Sequence, residues 1–319
     1  GSFKIIGGFF MEQFFIILQQ LFIFTFFVFV GIFCVKFKVF DESALDSMSK
    51  FIITITMPVM LVCNLLSGPS FRDLTNSSPI FIVYMFCFIF LYLFNCLIVR
   101  VFHFNEQKSN IYKALATFSN AGFIGIPLIL AIFGKEGGIF MSLCTIVDQL
   151  MLWTLGIKLT SNTNKFKLEN LKNFANPALI AIIFSLIGVI VGIKLPKTLL
   201  MTLKPIGDMT PVLSMIYIGG LFCFSNIREY LKKFDIYMLI FFKMLFFPVI
   251  IWAILKFVPV SVNIAKTVVL LCSLPSMSSI AIFAKKYDNY PEYAVAAVLI
   301  TTAFSIITVP LISFLISQV

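Results

Sequence analysis

The residues best able to do chemistry in this chain lie inside apolar stretches, where polar groups are costly. One stretch reads Ala114-Leu-Ala-Thr-Phe-Ser119-Asn120-Ala-Gly122-Phe-Ile-Gly125-Ile-Pro127, with an asparagine, two glycines and a proline inside eight residues. This is poor material for a continuous helix, because proline removes a backbone donor and glycine loosens the chain. A second such stretch is Ser273-Leu274-Pro275-Ser276-Met277-Ser278-Ser279. Broken backbone at membrane depth persists only where it is buried in protein or lines a polar cavity. Paired interruptions in the two halves of a carrier point to its substrate site. Each break would begin a half-helix near mid-membrane, with exposed N–H groups and about half a positive charge at its start. Two such ends facing each other could hold a carboxylate without an arginine. The expected substrate-binding residues are therefore Asn120, Gly122, Gly125, Pro127, Pro275, Ser276, Ser278 and Ser279. The serines are expected to cap one half-helix, and Asn120 to donate to the ligand or hold the crossing. Asn64, Ser214 and the pair Gly219–Gly220 are weaker candidates for the opposite wall, since small residues serve helix packing equally well. The plainer reading of both breaks is a pair of proline kinks.

Two charges sit well inside apolar stretches, Asp148 and Lys243. Each costs about 2.5–3.5 kcal/mol there on insertion scales, so each should face a partner or water. Asp148, with Gln149 beside it, could bind a sodium ion or carry a proton. Lys243 could neutralise a substrate, pair with Asp148, or reach the membrane surface. The lone histidine, His103, lies in a loop, so no His-rich metal site or Ser–His pair can be built in the membrane. No HExxH, P-loop or GxGxxG pattern is present. An enzyme is not expected, nor is any metal or cofactor beyond a sodium ion or proton used for coupling.

These residues need an all-helical membrane frame to position them. The 319-residue chain is 60% hydrophobic and only 12% charged, about half the charged fraction a soluble domain carries, and its mean hydropathy is +1.05. Apolar runs long enough to cross ~30 Å of hydrocarbon recur along the whole length. Ten spans are expected, at about 14–35, 51–67, 79–100, 111–133, 138–158, 177–193, 208–224, 236–256, 264–285 and 293–316. The net charge of +10 is spread over short loops, which argues for membrane orientation and against nucleic acid. Fifteen Lys and Arg fall at the ends of and after odd-numbered spans and eight on the other side. That bias puts the odd-numbered loops in the cytoplasm and both termini outside. Seven scattered cysteines, with no CxxC pair, read as small buried apolar residues. Residues 1–10 resemble a protease-cleavage scar, and no cleavable signal peptide is evident.

A faint internal repeat links "AIFGKEG" at 131–137 with "AIFAKKYD" at 281–288, and "MPVM" at 57–60 with "TPVL" at 210–213. The offset of about 150 residues places five spans in each copy, so the second copy enters the bilayer from the opposite side. The expected division is 11–158 for the first repeat, 159–176 for a cytoplasmic linker and 177–319 for the second repeat.

Four segments carry a family resemblance: "NAGFIGIPL" at 120–128, "IFGKEG", "LPSMSSIAIFAKKYDNYPE" at 274–292 and "MPVMLVCNLLSG" at 57–68. The chain resembles the auxin efflux carrier family, which includes plant PIN-type exporters and bacterial malate- or malonate-type permeases, and its short central linker looks bacterial. The resemblance implies a ten-helix fold of two inverted five-helix repeats, shared with bile-acid symporters and sodium/proton antiporters. Spans 1, 2, 6 and 7 would form a scaffold, and spans 3–5 and 8–10 a moving domain with broken helices 4 and 9 crossing at its centre. Asn120, Pro127 and Pro275 match crossover residues at the carboxylate site, and Lys243 matches a basic position of the eighth span. The second crossover departs from the pattern by being serine-rich, which leaves the substrate open. The expected function is secondary transport of a small organic anion, auxin-like or dicarboxylate, by an elevator-type motion in a bacterial inner membrane. A homodimer is compatible with it. A sodium- or proton-coupled symporter of the same fold and a non-transporting ligand sensor are the alternatives.

Overall fold

A computed structural model describes residues 2–67, 70–161, 177–224 and 227–317. The expected linker from residue 162 to 176 lies outside the described residues. Among those described, every regular element is helical. We label them α1 (Ser2–Lys36), α2 (Glu42–Leu66), the short α3 (Phe71–Asn76), α4 (Ser78–Val101), α5 (Glu106–Thr117), α6 (121–133), α7 (Glu136–Thr160), α8 (Pro177–Val191), α9 (Lys197–Phe224), α10 (Phe234–Leu255), α11 (Val262–Ser273), α12 (Ser278–Lys286) and α13 (Pro291–Ser317). Six of these, α2, α4, α7, α9, α10 and α13, are long and apolar enough to cross a membrane. The chain is a multi-pass helical membrane protein.

Helix starts at the ends of the bundle are fixed by polar caps. Asp41 accepts the Ala44 N–H at 2.7 Å, Asn105 that of Lys108 at 2.9 Å and Ser261 that of Ile264 at 3.3 Å. Ser70 and Asp73 form a reciprocal capping box at α3. Such caps occupy backbone donors that have no partner within the helix.

Proline inside the bundle is accommodated by wide turns. Pro58, Pro127 and Pro248 follow π-helical turns at Ile52–Thr56, Ala121–Gly125 and Ile240–Phe246. A proline clashes with the carbonyl four residues back, and each of those carbonyls lies in the widened turn. At the α6–α7 corner, Gly134 adopts φ 54°, a backbone region closed to most L-residues but open to glycine.

One group of helices is bound by near-contact of backbones. A methyl group on Gly31 of α1 would fall 2.0 Å from the Ile216 carbonyl oxygen of α9. One on Gly219 of α9 would fall 2.0 Å from that of Val28, and one on Gly207 would fall 2.8 Å from Cα of Met60 in α2. Close approach of this kind is how helices associate in lipid, where the hydrophobic effect gives little drive. Gly219 and Gly220 thus serve packing, with Gly220 against the Leu45 side chain.

The helices depart from the expected spans at their starts. α1 is helical from Ser2, and α2 begins at Glu42 instead of about residue 51. The polar first turns of α2 lie beyond the apolar run and are carried by the Asp41 cap.

Candidate functional site

Helices α5 and α6 are separated by Phe118–Asn120, and α11 and α12 by Leu274–Met277. The two breaks meet. Ser119 and Ser276 form an isolated antiparallel bridge. The Asn120 N–H donates to the Pro275 carbonyl at 2.9 Å, and the Met277 N–H donates to the Phe118 carbonyl at 3.1 Å. Each interrupted backbone therefore satisfies the other, as a medium without water requires. Further bonds lock the crossing: the Ser276 hydroxyl donates to the Leu115 carbonyl at 2.9 Å, and the Ser276 N–H to the Thr301 hydroxyl at 3.2 Å.

The half-helices that start here differ from helices at the bundle ends. Neither α6, beginning after Asn120, nor α12, beginning after Met277, has a side-chain cap. The expected capping by Ser276, Ser278 and Ser279 does not form. Ser276 is committed to Leu115, and the buried hydroxyl of Ser278 has no hydrogen-bond partner. The buried side-chain amide nitrogen of Asn120 is likewise without one. A buried donor left unmade costs about 1–3 kcal/mol.

Gly122 and Gly125 play different parts. A methyl group on Gly122 would meet nothing within 4 Å, so open space adjoins the first turn of α6. One on Gly125 would fall 2.8 Å from Leu271 and 3.0 Å from Leu274, so Gly125 lets α6 approach α11. Pro127 lies in the following turn; its side chain is outside the described ones.

Lys243 is 1% exposed and projects from the π-helical turn of α10. Its ammonium donates to the Ala116 and Phe118 carbonyls, both at 3.1 Å, and to the Ser119 hydroxyl at 3.2 Å. An ammonium has three N–H groups, so these contacts account for all of them. The charge sits where the C-terminal carbonyls of α5 concentrate negative potential. Asp148, in contrast, accepts the Tyr84 hydroxyl at 2.8 Å, and no ion pair joins it to Lys243 among the described residues. The Gln149 side-chain carbonyl accepts the Trp153 indole N–H at 3.3 Å. The two in-membrane charges are therefore each held by neutral partners.

A cleft of about 600 Å³ lies further along α6, and no residue of the crossing itself lines it. Asn64 of α2 and Ser67 just beyond its end, Asp73 of α3, Ile126 of α6, and Ser142 and Thr145 of α7 are among its lining residues. Ile126 stands four residues beyond Gly122, about 6 Å along the helix. On this lining, the Ser70 hydroxyl and N–H hold the Asp73 carboxyl below the usual carboxylate range. Ser214 is fully buried on α9 and is not among these lining residues. Tyr84, Thr301, Asp73, Ser142 and Thr145 were not singled out by sequence. A hydroxyl in an apolar run carries no signal of its partner, and the cleft residues come from four separate helices.

The membrane transport protein family matches residues 15–313 of the chain. A protein of Methanocaldococcus jannaschii, described as an uncharacterized transporter, is 24% identical over 296 residues, which span 89% of this chain and 94% of the relative.

Proposed function

Because this chain belongs to the membrane transport protein family, that of the auxin efflux carriers, we propose that it is a secondary carrier of small organic anions. The observation that carries this reading is the pair of uncapped half-helix starts at the crossing, one of them beside open space at Gly122. Free amide ends favour an anion. The competing negative end of α5 is offset by Lys243, whose charge is directed at carbonyls. An incoming carboxylate would meet Asn120, Gly122 and the Ser278–Ser279 start of α12.

In this reading the helices compose ten spans in two inverted repeats, residues 11–158 and 177–319, the broken pairs α5–α6 and α11–α12 each counting as one. Helices α1, α2, α8 and α9 form the scaffold, and the remainder slides against them in an elevator motion that exposes the crossing to each side in turn. The lysine-rich loops lie in the cytoplasm of a bacterial cell, with both termini outside.

Flux of radiolabelled mono- and dicarboxylates into proteoliposomes tests the proposal, with binding followed by thermal shift. One or more acids should raise the melting temperature, and Asn120→Ala should abolish that response while remaining folded. Absence of both flux and stabilisation across the acid panel would remove the anion reading; stabilisation without flux would favour a ligand sensor.

A second reading, coupling to a proton, is favoured by the buried Asp148–Tyr84 pair. Asp148→Asn should then leave acid binding intact and abolish uptake driven by a pH gradient. Equal uptake by the variant would eliminate it.

A further inference from the structure

Helix α2 is lined by a cleft near each of its ends. Near Asn64 is the 600 Å³ cleft, where α2 faces α6 and α7. Toward the Glu42 end is a second cleft of about 270 Å³, whose lining residues on α2 end at Thr54, ten residues before Asn64 and so about 15 Å away along the axis. There Asp46, Ser49, Lys50, Ile53 and Thr54 of α2 and Tyr217 of α9 face Lys285 and Lys286 of α12. The two clefts thus stand at opposite ends of one interface, between α2 and the helices that form the crossing.

The ends are closed differently. At the smaller cleft an ion pair joins Glu42, in the first turn of α2, to Lys285, in the last turn of α12. Each charge is of the sign its helix end favours, acidic at a start and basic at a finish. No ion pair among the described residues spans the larger cleft, whose lining includes one charge, Asp73. The side chains of Lys285 and Glu42 are 28% and 55% exposed. A half-solvated pair is weak, which suits a contact that must break in each cycle; a dry one would trap the protein.

We propose that the Glu42–Lys285 pair is a latch that shuts the lysine-rich end of the α2 interface, and that the structure is the state with access from the Asn64 end. The inference rests on the carrier reading above. Asp46 and Lys50 on α2 and Lys286 on α12 are the other charges in the same cleft. Asp46 is the residue placed to take over Lys285 if Glu42 is lost, so a full release requires Glu42→Gln with Asp46→Asn.

Two measurements test the latch. In a background lacking the native cysteines, Thr54→Cys reports the smaller cleft and Ser142→Cys the larger, through labelling by a membrane-impermeant maleimide. Glu42→Gln/Asp46→Asn should speed labelling at Thr54→Cys by about two- to fivefold, the population shift a weak surface pair can impose, and slow it at Ser142→Cys. The exchanged pair Glu42→Lys/Lys285→Glu should restore the original pattern. Separately, Glu42→Cys/Lys285→Cys, joined by oxidation, should stop flux and leave Ser142→Cys labelling high, with flux recovered on reduction. Unchanged labelling in the released variant, or full flux through the tethered protein, overturns the latch. Those outcomes leave the carrier reading standing if the untethered protein transports, whereas absent flux in the parent protein fails that reading instead.

Discussion

At the residue scale, Lys243 shows how a charge can be evident in the sequence while its function is not. A lone lysine in an apolar run announces that something must satisfy it, and an aspartate in another run suggests a pair. Its actual partners are two backbone carbonyls and a serine hydroxyl, and backbone acceptors carry no residue signature. Lys243→Met should cost about 3 kcal/mol or more, because it strips the crossing of a buried cation and leaves its acceptors unpaired. The loss should appear as a lowered melting temperature in detergent. Lys243→Arg should recover little of it, since a planar guanidinium cannot reproduce three contacts made from one tetrahedral nitrogen. The glycines allow a sharper contrast. Gly125→Ala must displace Leu271 or Leu274 and should destabilise by about 1–3 kcal/mol, the usual cost of overpacking. Gly122→Ala meets open space and should fold normally, but it should lose the thermal response to an acid ligand that the parent shows. A Gly122→Ala protein still stabilised by the same acid would place the ligand elsewhere.

At the element scale, the two interrupted helices were legible and their bonding was not. Gly, Asn and Pro in one stretch, and Pro among serines in the other, mark where a helix fails. The serines looked like caps because they precede a helix, which is where serine usually acts. Ser276 instead spends its hydroxyl on Leu115 across the crossing, a bond between positions 161 residues apart that local spacing cannot reveal. Thr301→Val should therefore destabilise the crossing by about 1–3 kcal/mol, by leaving the Ser276 N–H without its acceptor. Thr301→Ser should be close to neutral. Thermal unfolding of the two variants side by side separates loss of the hydroxyl from loss of volume. The early start of α2 was missed for a related reason. Its first turns, Glu42-Ser-Ala-Leu45-Asp-Ser, are polar on most faces, and only Leu45 and Ser49 of the first ten residues are buried. A search for apolar runs finds the membrane-crossing part and passes over the segment that carries Glu42.

At the scale of the whole molecule, a helix need not be long to belong to a membrane bundle. Six helices meet the length and hydropathy of a span by themselves, whereas α5, α6, α11 and α12 would cross only in pairs in the proposed topology. Hydropathy marks such stretches as apolar whether or not the backbone is continuous. It could not show that the breaks bond to each other, nor which helices pack through glycine.

Orientation is the property of the whole molecule that the charges speak to most directly. Short loops rich in Lys and Arg resist translocation, and the bias sets the arrangement of all the spans together. The turn at His103 follows α4 and is flanked by Arg100 and Lys108, and the turn at Gly192 follows α8 at the opposite face in the proposed topology. Both are tight turns with positive φ, 51° at His103 and 80° at Gly192, at element boundaries where an inserted peptide disturbs little packing. A short epitope inserted after Gly192 should be reached by antibody on intact spheroplasts, and one after His103 only once the membrane is opened. The reverse result would invert the molecule, and the smaller lysine-lined cleft beneath Glu42 would then face outward. Access to both sites in intact cells would mean that one span does not cross, and the two-repeat topology would fail with it, because that topology needs five crossings in each half to turn the second break to meet the first.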